Sequence, residues 1–348
     1  MATSLLEAFE RQARGCRLLG ATFTAGLADT LGAELRRGGG PLASLLPSWP
    51  GDAWRDAVPV RLFAAIHARV LAGDARLAAL YPPHATQVDG PALIAALNEA
   101  LATHRPQFEA MLAHPPQTNE IGRGSTLLGG YSEIARRTAL PLSVLEIGAS
   151  AGLNLRWDRY RYELDQAQWG DPASPVRIVA PWRGKAPALL PHIAVGERAG
   201  CDIAPIDITS PEQCLRLQSY VWPEQRERLE RLQAALALAR DDGLRVERSD
   251  AAEWVERQLA EPRAGRATVL VHSVVWQYLP APTRERIRAA IDAAGRRATR
   301  EAPFAWLAFE FEAVEAPATL RLTLWPGGAS QALAHAHPHG AHTEWLGS

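Results

Sequence analysis

The sequence predicts an α/β protein with a helical N-terminal domain and a seven-stranded, mostly parallel sheet that ends in an antiparallel hairpin. Three observations lead to this prediction. The first 140 residues place apolar side chains at helical spacing. From Leu142 onward, short apolar runs alternate with helical segments, as in parallel α/β sheets. Near the C-terminus, Trp325-Pro326-Gly327-Gly328 separates two strand-like runs. We therefore place one domain at residues 1–125 and the other at 126–348.

The bulk composition is that of an ordinary soluble globular protein. Of 348 residues, 47% are hydrophobic and 22% charged, and the formal net charge is −1. Such a charge, without a basic stripe, argues against nucleic acid or a membrane as partner. The N-terminal stretch meets an acid within seven residues and has no long apolar core, unlike a signal peptide or membrane span. Three scattered cysteines favour a reducing, cytoplasmic setting.

Helices are predicted over about residues 3–37, with a break near Gly20, and then over 60–80 and 91–112. Glycine and proline clusters separate these segments. A polar loop follows, in which four hydrogen-bonding side chains fall within seven residues: Gln117, Asn119, Glu120 and Arg123. The loop is either a solvated linker or part of a site wall or lid that contacts substrate, and the sequence leaves both alternatives open. A helix at 127–138 then leads into the central strand.

The stretch Leu142–Leu155 holds the strongest functional signal. Val144, Leu145 and Ile147 predict a buried strand that runs directly into a glycine-containing turn and a possible helix start. The turn reads Glu-x-Gly-x-Ser-x-Gly, with Glu146 followed by Gly148, Ser150 and Gly152. Glycines at a strand-to-helix turn let the backbone approach a ligand closely. An ordinary ligand-free joint between a strand and a helix is the alternative.

Further strands are predicted after an inserted hairpin near residues 158–182. The second strand, within 199–208, ends at Asp202, and the third precedes Asp250 and Ala251. The fourth, within 267–280, contains His272 and leads to Trp276 and Tyr278. The ordinary pKa of histidine suits proton transfer, so His272 could be a general base. The alternative is a hydrogen-bonded histidine in the core. The fifth strand, at 303–314, carries Glu310 and Glu312 toward its open end.

Four histidines near the C-terminus raise the question of a metal site: His335, His337, His339 and His342. The first three alternate and could share one face of a strand. Pro338 and Gly340 would distort that strand, and no cysteine or acid completes a ligand shell before Glu344. We therefore predict no metal.

Seven short stretches together resemble the DUF2332 proteins, an uncharacterised bacterial family, over most of the chain. They read QTNEIGR, LEIGASAGLNL, DRYRY, WGDPASPV, QSYVWP, SVVWQYL and HPHG. Residues 126–348 also resemble the Rossmann-like fold of class I S-adenosylmethionine (SAM) methyltransferases. The chain departs from that pattern at Ser150, where many members have glycine, and in the insertion after the turn.

The second resemblance implies SAM as cofactor and a small or medium-sized metabolite as methyl acceptor. It implies that Glu146, Gly148, Ser150 and Gly152 border the methionine end, that Asp202 binds the ribose, and that Asp250 and Ala251 meet the adenine. His272 would then be the base, with Trp276 and Tyr278 shaping the acceptor pocket. The alternative is a non-catalytic protein that keeps the fold and binds a nucleotide or metabolite. The acceptor and the oligomeric state stay open.

Overall fold

The computed structural model describes residues 2–165, 167–312 and 316–347. These residues form two compact units. The first unit comprises Met1–Thr118 together with Ser210–Glu230, and the second comprises Asn119–Thr209 together with Arg231–Ser348. Residues 313 and 314, at the end of the predicted fifth strand, lie outside the described part of the chain.

Helices are present where the sequence predicts them at 3–37, 91–112 and 127–138, whereas the segment predicted at 60–80 is divided into two helices and a short additional helix follows Gly39. Their bounds are α1 Leu5–Leu18, α2 Thr22–Arg37, α3 Gly40–Leu45, α4 Val58–Leu71, α5 Ala75–Ala78, α6 Gly90–Ala113, α7 Gly124–Thr138, α8 Pro211–Ser219, α9 Arg226–Ala239, α10 Ala251–Gln258 and α11 Ala281–Arg297. In the first unit they enclose a core that includes Phe9, Leu27, Leu62 and Leu97. Burying a side chain of this size contributes about 1.5–3 kcal/mol. No helix among the described residues is long and apolar enough to cross a membrane.

The strands are β1 Leu142–Ile147, β2 Arg161–Leu164, β3 Ala167–Trp169, β4 Arg177–Val179, β5 Trp182–Lys185, β6 Val195–Asp202, β7 Glu247–Arg248, β8 Ala267–Ser273, β9 Phe304–Phe311, β10 Ala318–Trp325, β11 Ala329–Ala336 and β12 Thr343–Leu346. The inserted segment forms a small sheet, in which β2 pairs antiparallel with β3 and parallel with β4.

The large sheet has nine strands, where the sequence predicts seven. Its order is β5-β12-β11-β10-β9-β8-β1-β6-β7. Four neighbouring pairs are parallel: β9-β8, β8-β1, β1-β6 and β6-β7. The pairs β9-β10, β10-β11 and β11-β12 are antiparallel. The two additional strands, β5 and β12, pair parallel with each other at one edge. Each has only four residues, which is too short for a clear periodic signal.

Parallel strands bring their carboxyl ends to one edge of the sheet. We call this the carboxyl edge, where β1, β6, β7, β8 and β9 end. Strand β1 lies between β6 and β8. After β1, the chain first adds β6 and β7 on one side of it and then adds β8 and β9 on the other side. Open α/β sheets bind ligands in the crevice at such a switch point. The fold therefore directs the search for a site to the loops at this edge.

Candidate functional site

The turn after β1 has a left-handed backbone at its three marked positions. The φ angles are +67° at Gly148, +53° at Ser150 and +69° at Gly152. A serine in this region costs about 1–2 kcal/mol, which explains why glycine suits the middle position. A short 3-10 helix, Asn154–Arg159, follows in place of the α-helix that the sequence suggests.

Three backbone amides of this turn are hydrogen-bonded within the protein. The Ala149 N–H donates to the Cys201 carbonyl at 3.0 Å, and the Gly152 N–H donates to the Ala149 carbonyl at 2.7 Å. The Ser150 N–H donates to Asp202 Oδ2 at 2.9 Å. These bonds fix the turn from Gly148 to Gly152 between β1 and β6, and we call this turn the ledge. They also leave few backbone N–H groups free to bind a phosphate.

Two glycines of the turn are needed for packing. A Cβ on Gly148 would collide with the Val275 side chain, which covers that face of the turn. A Cβ on Gly152 would lie 3.0 Å from Val246 and 3.2 Å from the Arg156 guanidinium. The glycine pattern therefore has a structural cause here, whether or not a ligand approaches it.

Asp202 and Asp250 end neighbouring segments at the carboxyl edge. Asp202 holds the ledge through Ser150, and its other oxygen accepts the Ala204 N–H at 2.9 Å. Asp250 is the N-cap of α10 and accepts from the Ala252 N–H at 2.9 Å. Ala251 is the first residue of that helix. Both acids thus organise the backbone locally, and their ribose and adenine roles stay predictions.

Glu146 is a buried acid directly beneath the turn. It is 3% exposed. Burial raises its pKa to about 8, against the opposing effect of the nearby Arg123, so it carries a proton near neutral pH. Glu146 Oε2, Ser150 Oγ and Asn154 Oδ1 are buried without a hydrogen-bond partner among the described residues. Buried polar atoms normally have hydrogen-bond partners, so these three atoms are candidates for hydrogen bonds to a polar ligand.

The polar loop is tied to this edge by two of its four predicted residues, Asn119 and Arg123. Asn119 Oδ1 accepts the Leu153 N–H at 2.9 Å. Arg123 Nη1 donates to the Ser273 carbonyl at 2.8 Å, at the end of β8. Glu120 Oε1 accepts the Gly122 N–H at 3.0 Å within the loop itself. The loop therefore borders the turn, as a site wall requires, and its contact with substrate stays a prediction.

Gln117, the fourth predicted residue, precedes the boundary and belongs to the first unit. It is partly buried there. The structure therefore groups Asn119, Glu120 and Arg123 with the ledge, and assigns Gln117 to a different compact unit.

His272 lies on β8 with both ring nitrogens occupied. Its Nδ1 is 2.7 Å from Glu310 Oε1, and its Nε2 accepts the Trp306 Nε1–H at 2.9 Å. Trp276 stacks on the imidazole with ring centroids 5.0 Å apart. The side chain is 1% exposed. This geometry favours the hydrogen-bonded core histidine over a general base, because neither nitrogen is directed at a substrate.

The two aromatic residues predicted for the acceptor pocket differ in exposure. Trp276 is partly buried between the imidazole and Arg288, whose guanidinium lies 5.2 Å from its ring centroid. Tyr278 is 74% exposed. Of the two, Tyr278 offers the free aromatic surface.

Arg156 is a site-supporting residue for which the sequence carries no signal. It is fully buried and forms a bidentate pair with Asp242, at 2.8 and 2.6 Å. Its Nη1 donates to the Gly152 carbonyl at 2.8 Å. The partners are 86 residues apart in the chain, so only the folded structure shows that Arg156 anchors the turn.

His335 lies in β11, and the other three C-terminal histidines lie in the turn between β11 and β12. The ring centroids of His337 and His339 are 5.4 Å apart, and those of His337 and His342 are 5.7 Å apart. Among the described residues, no group of three or more histidine, cysteine or acidic side chains has the geometry to hold a metal ion.

A family described as an uncharacterised protein conserved in bacteria, DUF2332, matches residues 6–345. This match spans almost the whole sequence, and the chain belongs to that family. In the two other comparisons, no curated protein and no solved structure matches the chain.

Proposed function

We propose that this DUF2332 protein binds SAM at the carboxyl edge and transfers its methyl group to a small or medium-sized metabolite. The observation that carries the proposal is the convergence of the glycine turn, Glu146 and Asp202 at the switch point beside β1. The parallel part of the sheet supports it, because β7-β6-β1-β8-β9 corresponds to the 3-2-1-4-5 order of doubly wound dinucleotide folds. That order also supports a Rossmann-like domain, extended by β5 and β12.

The available polar groups fit such a cofactor. SAM carries an amino-acid end, two ribose hydroxyls and an adenine. The unpaired atoms of Glu146, Ser150 and Asn154 supply acceptors, and a donor from the protonated acid, for the amino-acid end. Asp202 keeps lone pairs beyond its two backbone bonds and could accept from the ribose. Asp250 and Ala251 follow the next strand and would meet the adenine.

A bound SAM would supply an activated methyl group on its sulfonium. The residues of the chain would position the reacting groups and exclude water. Methyl transfer depends mainly on a close in-line approach, and holding two reactants in this way can contribute about 7–11 kcal/mol. The rigid ledge, fixed by Asp202 on one side and Arg156 on the other, suits this positioning role.

The second candidate is a non-catalytic protein that binds a nucleotide or metabolite. This candidate is favoured because backbone amides of the turn and both ring nitrogens of His272 are hydrogen-bonded within the protein. Both candidates predict a ligand at the carboxyl edge. They differ in whether a methyl group leaves the cofactor.

Isothermal titration with SAM and with S-adenosylhomocysteine (SAH) tests the proposal. We expect micromolar binding that weakens at least about tenfold, or about 1.4 kcal/mol, in Asp202→Asn. Asp207→Asn is the matched control, since Asp207 is an exposed acid five residues further along that accepts the Thr209 N–H at 2.9 Å. Circular dichroism of both variants checks the fold.

Absence of binding by folded wild-type protein would contradict the methyltransferase proposal. If SAM binds, incubation of methyl-labelled SAM with a bacterial small-molecule extract separates the two candidates. Label appearing in a small acceptor supports the enzyme, and label retained on SAM supports the binding protein.

A further inference from the structure

Glu310, at the carboxyl end of β9, has two carboxylate oxygens in very different surroundings. Its Oε1 accepts hydrogen bonds from His272 Nδ1 at 2.7 Å, the Val275 N–H at 3.0 Å and the Trp276 N–H at 3.3 Å. Among the described residues, Oε2 has no hydrogen-bond partner. The side chain is 14% exposed. Oε1 therefore holds the side chain in place through hydrogen bonds within the protein, and Oε2 can bind a ligand at the edge of the sheet.

The hydrogen bond from Trp306 fixes the charge of this arrangement. An indole N–H can only donate, so His272 Nε2 must be an unprotonated acceptor. The single imidazole proton then lies on Nδ1 and is donated to Glu310. His272 is therefore neutral and does not offset the negative charge of the carboxylate. His272 and Trp306 are positioning residues in this arrangement.

The backbone beside β8 contributes the other two donors through a strained residue. Val274 has a φ of +53°, which is an outlier for a β-branched side chain. Strain of this kind costs about 1–3 kcal/mol and persists where the surrounding structure requires it. Here the turn at Val274 directs the next two N–H groups, of Val275 and Trp276, onto Glu310 Oε1.

The charge of Glu310 has no cationic partner among the described residues, since its one ion-pair contact is the neutral His272. Glu312, two residues further on, shows the contrast, because it pairs with Arg321 at 2.6 Å. A mostly buried carboxylate is costly unless a cation or hydrogen-bond donors compensate it. The three donors compensate Oε1 alone, so a ligand cation that also donates hydrogen bonds would complement Oε2.

We propose that Glu310 Oε2 binds the protonated nitrogen of a small amine and takes a proton from it. This inference rests on the proposed function and names the acceptor class of the same site. An N–H bond of the ammonium breaks and its electron pair stays on nitrogen, while the proton forms an O–H bond with Oε2. The neutral amine is then a nucleophile. Tyr278 is exposed two residues after Trp276, whose N–H donates to Glu310, so an amine with an aromatic ring suits this surface.

Titration with benzylamine tests the proposal, with benzyl alcohol as the neutral probe of the same shape. The reporter is the Trp306 indole N–H signal in ¹⁵N spectra, assigned by its loss in Trp306→Phe. We expect benzylamine to shift this signal saturably and benzyl alcohol to leave it nearly unchanged. The dissociation constant for benzylamine should rise at least about tenfold in Glu310→Gln. Glu312→Gln is the matched control and should bind as the wild type does.

Equal binding of the two probes, unchanged binding by Glu310→Gln, or no saturable shift with benzylamine would each overturn the proposal. Spectra that place the His272 proton on Nε2 would also overturn it, because Trp306 could then not donate to that nitrogen. SAH titration of the same Glu310→Gln sample keeps the two proposals separable. Retained SAH affinity with lost benzylamine affinity supports both, whereas absence of SAH binding by the wild type as well as by the variant contradicts the methyltransferase proposal alone.

Discussion

Replacing Glu146 with glutamine should make the stability of the second unit less dependent on pH. Burial raises the folded-state pKa of this acid from its ordinary value of 4.5 to about 8. Below pH 4.5, the folded and unfolded chains are both protonated, so Glu146 contributes no pH dependence. Between pH 4.5 and 8, only the folded chain keeps the proton, and its stability falls as pH rises. Above pH 8, both forms are ionised and the loss levels off.

The expected slope is about 1.4 kcal/mol per pH unit, so the penalty reaches about 3 kcal/mol at pH 7. Glutamine cannot ionise and removes this slope. The amide of glutamine places an N–H group at the position of Glu146 Oε2, where the described residues offer no hydrogen-bond acceptor. This buried donor costs about 1–3 kcal/mol at every pH. The variant and the wild type should therefore be similar near pH 7. The difference between their free energies of unfolding should favour the variant progressively more from pH 5 to pH 7.5.

Urea unfolding at several pH values measures this difference through tryptophan fluorescence, to which the fully buried Trp157 and Trp254 of the same unit contribute. Glu133→Gln is the control of opposite sign. Burial raises the pKa of Glu133, but hydrogen bonds from Arg136 and Arg137 outweigh that effect and lower it. Glu133 therefore stabilises the fold above its ordinary pKa, and that contribution is lost as pH falls through the lowered value. A difference between Glu146→Gln and wild type that does not change with pH would refute the argument.

Three further predictions concern the turn and its supports. Arg156→Met should destabilise the second unit by about 3–5 kcal/mol, because it leaves Asp242 buried without its main partner; a loss below 1 kcal/mol in urea unfolding would contradict this. Gly148→Ala should cost about 1–3 kcal/mol, and Val275→Ala should restore part of it, since the clash is with that side chain; purely additive melting-temperature shifts in the double variant would argue against the contact. Ser150→Gly should leave thermal stability unchanged or raise it, since φ is +53°, and a fall of several degrees would contradict the assigned backbone conformation.

The elements with long periodic patterns could be predicted from the sequence. The break near Gly20, the buried strand at Leu142 and the hairpin around Trp325–Gly328 are all present, because each depends on residues close together in the chain. The sheet of nine strands could not be predicted. Its additional members are four-residue strands whose pairing, such as Thr343 with Trp182, joins distant parts of the sequence.

The candidate site shows the same division. The turn, Glu146 and Asp202 are identifiable from local motifs and from their position after strands. The surroundings of His272 are not, because they depend on the register of two parallel strands. His272 pairs with Ala308, and this register brings Trp306 and Glu310, which are two residues before and after it, onto the imidazole. Sequence patterns do not specify that register, so they left open whether His272 is a base or a core residue.

A structure of the chain in complex with SAH is the most direct test of SAM binding at the carboxyl edge. We predict that the ligand lies at this edge of the sheet, against the turn from Gly148 to Gly152. Its amino-acid end should contact Ser150 or Glu146, and its ribose should lie within hydrogen-bonding distance of Asp202. A ligand bound elsewhere on the chain, or an empty carboxyl edge at saturating SAH, would contradict it.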